Sequence, residues 1–238
     1  MHKGFSFLNR RLVLHELREA VRDAGAEIVF LQEVVGAHEG HAARHALWPK
    51  TPHYEFLADQ IWRDFAYGRN AVYPKGHHGN ALLSKFPIVS HRNHDISGDD
   101  RDERRGLLHC VVDLPGPAPR LHTICVHLGL FASQRRRQLG LLCGLVESGV
   151  PDDAPLVIAG DFNDWRMEVH RTMRCEGLKE VFVATCGAAA RSFPARWPLL
   201  RLDRIYIRNL GICDHAVLAL RPWSHLSDHA GLLAEIAA

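Results

Sequence analysis

The stretch Leu156-Val-Ile-Ala-Gly-Asp161-Phe-Asn163-Asp164 changes character at one residue, where an uncharged apolar run gives way to two carboxylates and an amide. A run this short, with β-branched Val157 and Ile158, reads as a strand buried on both faces that delivers Asp161 at its end. The same signature recurs outward along the chain. Glu27-Ile-Val-Phe-Leu-Gln-Glu33 reads as a buried strand ending in a carboxylate, and Arg201–Ile207 as a strand carrying Asp203. Ser227-Asp228-His229 stands just ahead of a strand over about Gly231–Ile236. Loops at strand ends are where functional sites collect.

Turn signals supply the remaining strands. Asn70–Tyr73 and Asn80–Ser84 flank a Gly- and Pro-bearing loop over 74–79, and Leu107–Leu114 and Leu121–His127 flank Pro115-Gly-Pro-Ala-Pro119. Cys213–Leu220 follows the turn-prone Arg208-Asn-Leu-Gly211. Asn9 can cap a helix over about 11–24, with Leu14, Leu17, Val21 and Ala24 as its apolar stripe and Gly25 as its stop. A second helix follows the Glu33 strand and ends near Trp48-Pro49, and Ser133 caps a third that runs to about Ser148. Hairpins mixed with helices predict an α/β fold with largely antiparallel sheets, two of them stacked with helices outside.

A chain of 238 residues with 47% hydrophobic content can bury a full core, and no internal boundary divides it, so one domain over 1–238 is expected. Six cysteines stand singly in apolar runs without CxxC spacing, which predicts reduced, buried thiols and argues against a disulfide framework or a zinc ribbon. With neither a signal-peptide pattern nor a membrane-length apolar run, the expected location is the cytoplasm. The net charge of +2 excludes nothing by itself, but 29 Lys plus Arg leave room for a local basic face. No repeat or low-complexity tract is present.

An acid after a strand, taken singly, reads as a turn or helix-capping group. Four such acids accompanied by imidazoles read as a centre. Oxygen-rich groups without paired cysteines favour Mg²⁺, with Mn²⁺ as an alternative, because hard cations prefer carboxylate, amide and water oxygens. An Asp-His pair suits charge building on phosphorus, since the carboxylate fixes the imidazole tautomer and supports its protonated form. A serine hydrolase is disfavoured, as Ser227, Asp228 and His229 are sequence neighbours and no G-x-S-x-G elbow occurs.

The ordered set LQEV, GNALLS, HL, GDFN, LDRI and SDH resembles the endonuclease/exonuclease/phosphatase superfamily, the group of deoxyribonuclease I and abasic-site endonucleases. It covers essentially the whole chain, and GDFN with SDH is its most specific pair. His2-Lys-Gly4, Ala66–Ala71, Gly76–Ser84 and Arg105–His109 look like a bacterial subgroup of it. The resemblance implies a four-layer α/β sandwich, two mostly antiparallel sheets face to face with outer helices. It implies Glu33 and Asp228 as metal-binding acids, and Asp161 and Asn163 as the pair that orients water and holds a phosphate oxygen. Asp203 resembles the partner of His229, and His127 a second histidine placed to contact the phosphate or protonate the leaving oxygen.

Asn80 of GNALLS matches a phosphate-binding or site-orienting amide. Arg105 and Arg135 suit oxygen clamps, because guanidinium pairs bidentately with phosphate. Arg135-Arg-Arg137 also reads as a solvated face, and Arg135 alone has the family's R-x-x-Q spacing, with Gln138. Members usually begin with a strand carrying a metal-binding asparagine ahead of the segment resembling His2-Lys-Gly4. Met1 stands after that position, so the domain is expected to lack its usual first strand. The expected activity is metal-dependent phosphodiester hydrolysis, with nucleic acid as the first substrate class and no protein partner. A phospholipid-headgroup or inositol-phosphate phosphodiesterase is the enzymatic alternative, and a catalytically impaired binding protein the other.

Overall fold

Alternate residues of the strand that ends in Asp161 face two different cores. Leu156 and Ile158 pack with Leu139, Leu142 and Val146 on one side, while Val157 and Ala159 pack with Leu108, Cys125 and Ile205 on the other. This is the two-faced burial that its uninterrupted apolar run predicts. The computed structural model describes residues 2–5, 11–42, 44–98, 103–117, 119–175 and 177–237. In chain order the elements are α1 (Leu14–Asp23), β1 (Ile28–His38), α2 (Glu39–Ala42), α3 (His53–Ala58), β2 (Asp64–Tyr73), β3 (Gly76–Ser84), β4 (Ile88–Asp95), β5 (Gly106–Val112) and β6 (Leu121–His127). They continue with α4 (Ala132–Gly149), β7 (Leu156–Asp161), α5 (Glu168–Cys175), β8 (Lys179–Glu180), α6 (Val181–Cys186), β9 (Asp203–Arg208), β10 (Gly211–Leu218) and β11 (Gly231–Ala237).

A six-stranded sheet runs β4-β5-β6-β7-β9-β8, with β6 and β7 parallel and its other described pairs antiparallel. One face carries α4 and α5. The other faces two smaller sheets, β1-β3-β2 and β10-β11, through Ala66, Leu82, Ile28, Phe30, Leu232 and Ala234. Beyond the three-stranded sheet, α1 and α3 close the outer core with Leu14, Leu17, Val21 and Leu57. The result is the expected α/β sandwich of two facing sheet layers between helices.

The second sheet layer is divided. β1 pairs with β3 and β11 with β10, and neither has a described partner on its other edge. Between the two edges lies a cavity of about 560 Å³, lined by Ile28–Gln32 of β1 and Gly231–Ala234 of β11. Leu17 and Val21 of α1 line it from outside, and Val157, Ala159 and Ile205 of the large sheet from inside. Ile28, Val29 and Phe30 are therefore half-buried, where their apolar run predicts full burial.

Several boundaries differ from the sequence reading. β1 does not stop at Glu33. A bulge between Leu31 and Val34 absorbs the extra residues, with Glu33 at φ 55°, and pairing with β3 resumes as far as His38. The helix expected to end near Trp48-Pro49 is only the four-residue α2; beyond it the backbone continues in turns, with the His45 N–H donating to the His41 carbonyl and that of Trp48 to the His45 carbonyl, while the three rings gather against Phe5. Gln134, not Ser133, serves the start of α4 by accepting the Phe131 N–H at 3.2 Å. Asn9 lies outside the described residues, and Val13 occupies the cap position of α1. The five cysteines whose side chains are described are free as expected, but Cys186 and Cys213 are exposed rather than buried.

Candidate active site

The chain delivers the central groups to one end of the large sheet by register. His127 closes β6 opposite Asp161 of β7, and Asp161 pairs in turn with Asp203, the first residue of β9. Three neighbouring strands thus present the three side chains His127, Asp161 and Asp203 in a row. Gly160 is required for this approach: its φ is 144°, and a Cβ there would lie 2.0 Å from the Val126 carbonyl oxygen. His229 comes from the segment before β11, and its Nδ1 lies 2.8 Å from Asp203 Oδ2. Among the described residues, Asp161, Asp203 and His229 form the group of acids and imidazoles whose ligating atoms lie within 4.8 Å of one another.

The electrostatics separate the two histidines. Burial works against charge on His229, yet the Asp203 carboxylate, with Asp161 and Asp228 adding to it, raises its pKa to about 9. Its Nε2 stands 4.0 Å from Asp161 Oδ2. His127 is also buried, but its neighbour is Arg105, whose Nη1 lies 3.3 Å from Nδ1. A guanidinium can only donate, so Nδ1 is the acceptor and the ring proton sits on Nε2, which is 3.7 Å from Asp161 Oδ2. Burial first and Arg105 second hold this imidazole well below the usual histidine range, hence neutral. Burial and the adjoining Asp203 push the Asp161 carboxyl up.

Asn163 sits at φ 51°; its backbone N–H donates to Asp161 Oδ1 at 2.8 Å, and its side-chain amide donates to the Leu128 carbonyl at 2.9 Å. Strained backbone at a polar pocket is a frequent companion of function. Asp164 instead caps α5, accepting from the N–H groups of Glu168 and Val169. Asn80 is fully buried and donates to the carbonyls of Gly106 and Cys125, tying β3 to β5 and β6. That is an orienting role rather than a direct reach into solvent. Arg135 is likewise buried: it donates to the Gly129 and Leu130 carbonyls, while Gln138 accepts the Gly129 N–H at 2.7 Å. Its R-x-x-Q spacing therefore holds the loop after His127.

Glu33 lies half-buried at the β1 bulge, where its charge acts on Tyr73, and Asp228 lies beside Ser227, whose hydroxyl donates to it at 3.2 Å. Neither belongs to the 4.8 Å group, although Asp228 acts electrostatically on His229. Glu103 joins these groups without any sequence motif to mark it. This residue pairs with Arg105 Nη2 at 2.8 Å and with His78 Nε2 at 3.0 Å. The His78 hydrogen bond, helped by Arg105 against the effect of burial, holds its pKa at about 2. In the sequence it stands among Asp99, Asp100, Asp102 and three arginines, a mixed-charge run with no local pattern that singles it out.

The match to the Endonuclease/Exonuclease/phosphatase family model runs over residues 3–229. The chain belongs to this family. The family includes nucleases, phosphatases and phosphodiesterases, and its hydrolytic members typically depend on a divalent metal. At 52% identity over 237 residues, covering 99% of this chain and 93% of the relative, it is similar to "Uncharacterized protein YbhP" of Escherichia coli strain K12. An endonuclease/exonuclease/phosphatase structure from Beutenbergia cavernae matches with a TM-score of 0.81 at 19% identity, covering 99% of this chain and 69% of that one. A humanised D. rerio TDP2 matches with a TM-score of 0.72 at 20% identity, covering 94% and 91%. At these identities the two structures establish the family's fold. No helix among the described residues is long and apolar enough to cross a membrane.

Proposed function

We propose that this protein is a divalent-cation-dependent phosphodiester hydrolase whose chemistry is carried by His127, Asp161, Asn163, Asp203 and His229. The observation that carries the reading is the close group of Asp161, Asp203 and His229, with His127 facing the same Asp161 oxygen. An oxygen-rich pocket whose central carboxyl is pushed up by burial suits a hard cation such as Mg²⁺ or Mn²⁺. Glu33 and Asp228, the acids that the family resemblance assigns to the metal, would hold it from beside the close group, to which neither belongs. When bound, such an ion polarises a phosphoryl oxygen and stabilises the leaving oxygen.

The chain's own groups divide the remaining work. Asp161 accepts the proton of the attacking water, which the Asn163 amide helps to orient. Asp203 keeps His229 charged, and the imidazolium then stabilises negative charge gathering on the phosphoryl oxygens. His127, neutral with its proton on Nε2, donates a hydrogen bond to the same group, and Arg105 pairs with a phosphate oxygen. Nucleic acid is the substrate class the sequence ranks first, while lipid-headgroup and inositol-phosphate diesters require the same centre. Turnover of bis(p-nitrophenyl) phosphate with Mg²⁺ or Mn²⁺ is expected, with loss in EDTA and in Asp161→Ala. Turnover that survives Asp161→Ala overturns the assignment.

A further inference from the structure

Two groups of large apolar side chains bracket the catalytic centre and stand in water. On one side, Leu130 (61% exposed) and Phe131 (67%) lie on the loop after His127, and Trp165 follows Asp164. On the other side, Trp197 (80%), Leu199 (65%) and Leu200 lie on the turn over 193–200. That turn is rooted in the site. The Ala195 N–H donates to the Asp228 carbonyl at 2.7 Å, the Ala230 N–H donates to the Ser192 carbonyl at 2.7 Å, and the Phe193 ring lies 5.0 Å from that of His229. Single exposed apolar residues are ordinary on any protein, whereas clusters flanking one site mark an interaction surface.

The chemistry of the rim selects its partner. Exposed arginines accompany both groups, Arg136 and Arg166 on the first side and Arg191 and Arg196 on the second. A single-stranded nucleic acid would use basic groups with free aromatic faces on which bases stack. Three of the six rim residues are leucines, which offer no such face, and Trp165 already carries the Arg135 guanidinium at 5.3 Å. Leucine, phenylalanine and tryptophan between arginines suit a bilayer surface: the apolar tips enter the acyl boundary and the guanidinium groups stay with anionic headgroups.

We propose that this rim docks the catalytic face on an anionic phospholipid bilayer, where the site takes headgroup phosphodiesters. The inference rests on the phosphodiesterase reading for its reaction, though not for its docking. In that reaction water adds to phosphorus, the P–O bond to one alcohol breaks, and that alcohol leaves with a proton originating from the water. A phosphomonoester remains.

The test is flotation of the full chain with vesicles of phosphatidylcholine, with and without phosphatidylglycerol. Trp197→Ser/Leu199→Ser and Leu130→Ser/Phe131→Ser are compared with the unaltered protein. Binding to the anionic vesicles is expected, reduced at least about tenfold by either pair of substitutions, as befits the loss of buried apolar area. Turnover of bis(p-nitrophenyl) phosphate should persist in both variants. The proposal is overturned by three outcomes: no flotation, flotation that survives both variants, or substitutions that instead abolish binding of a single-stranded oligonucleotide or a concentration-dependent dimer. Flotation without turnover of the soluble ester sinks the hydrolase reading and leaves the docking surface standing. Turnover without flotation does the reverse.

Discussion

Replacing Asp203 by asparagine isolates the contribution of one charge. The substitution is isosteric, and the backbone of residue 203 keeps its pairing with Asp161, so β9 has no reason to shift. What goes is the carboxylate 2.8 Å from His229 Nδ1, the group that outweighs burial in raising that imidazole to about 9. A hydrogen bond to a charged partner is worth about 1.5–3 kcal/mol. At about 1.4 kcal/mol per factor of ten, full expression of this bond in the transition state corresponds to a loss of about 10- to 150-fold in kcat. KM should change little, because the missing interaction strengthens as charge develops on the phosphoryl group. Steady-state kinetics on bis(p-nitrophenyl) phosphate separate the two constants, and thermal melts check that the fold is retained. A kcat within about threefold of the parent, or a loss confined to KM, would refute the assignment of His229 as the charged group of the centre.

The other predictions probe binding and stability. Glu103→Gln removes the carboxylate that holds the Arg105 guanidinium in place at 2.8 Å; with Arg105 less well aimed at the phosphate, KM should rise about tenfold with kcat nearly unchanged, the scale of one partly lost charge-assisted hydrogen bond. Unchanged KM would remove Glu103 from the site. His53 is fully buried between Trp48 and Gly4, with neither ring nitrogen partnered among the described residues, and burial lowers its pKa to about 3. Its folded pKa is depressed, so its contribution is intact above the unfolded value near 6.5. Below that, the unfolded chain binds a proton that the folded ring refuses, and stability falls until about pH 3. At pH 4.5 the share of the loss that His53 carries is about 3 kcal/mol, and His53→Phe should remove that share in urea melts compared between pH 7 and 4.5. An equal acid slope in parent and variant would show that other groups carry it.

Most strands were legible because their signal is local. Leu156–Asp161 and Leu121–His127 advertise burial through uninterrupted apolar runs, and the structure places both where the sequence did. β4 was missed because this edge strand reads Ile88-Val-Ser-His-Arg-Asn-His-Asp95, whose exposed polar side chains conceal it while its backbone pairs with β5. The length of β1 was missed because a bulge, not a turn, follows Glu33.

The amino-acid sequence by itself determined the residue types of the centre, the strands that carry Asp161, Asp203 and His127, and the family. Those follow from short-range pattern, which any window of the chain contains. Only the tertiary structure decided the protonation of the two histidines, since His127 meets a guanidinium and His229 a carboxylate across gaps of 22 and 26 residues in the chain. The same is true of Arg135, turned inward to support a loop, and of Glu103, drawn from a mixed-charge run onto Arg105 and His78. A pKa and a side chain's direction depend on what lies within a few ångströms, and in a sandwich those neighbours come from the opposite side of the sequence.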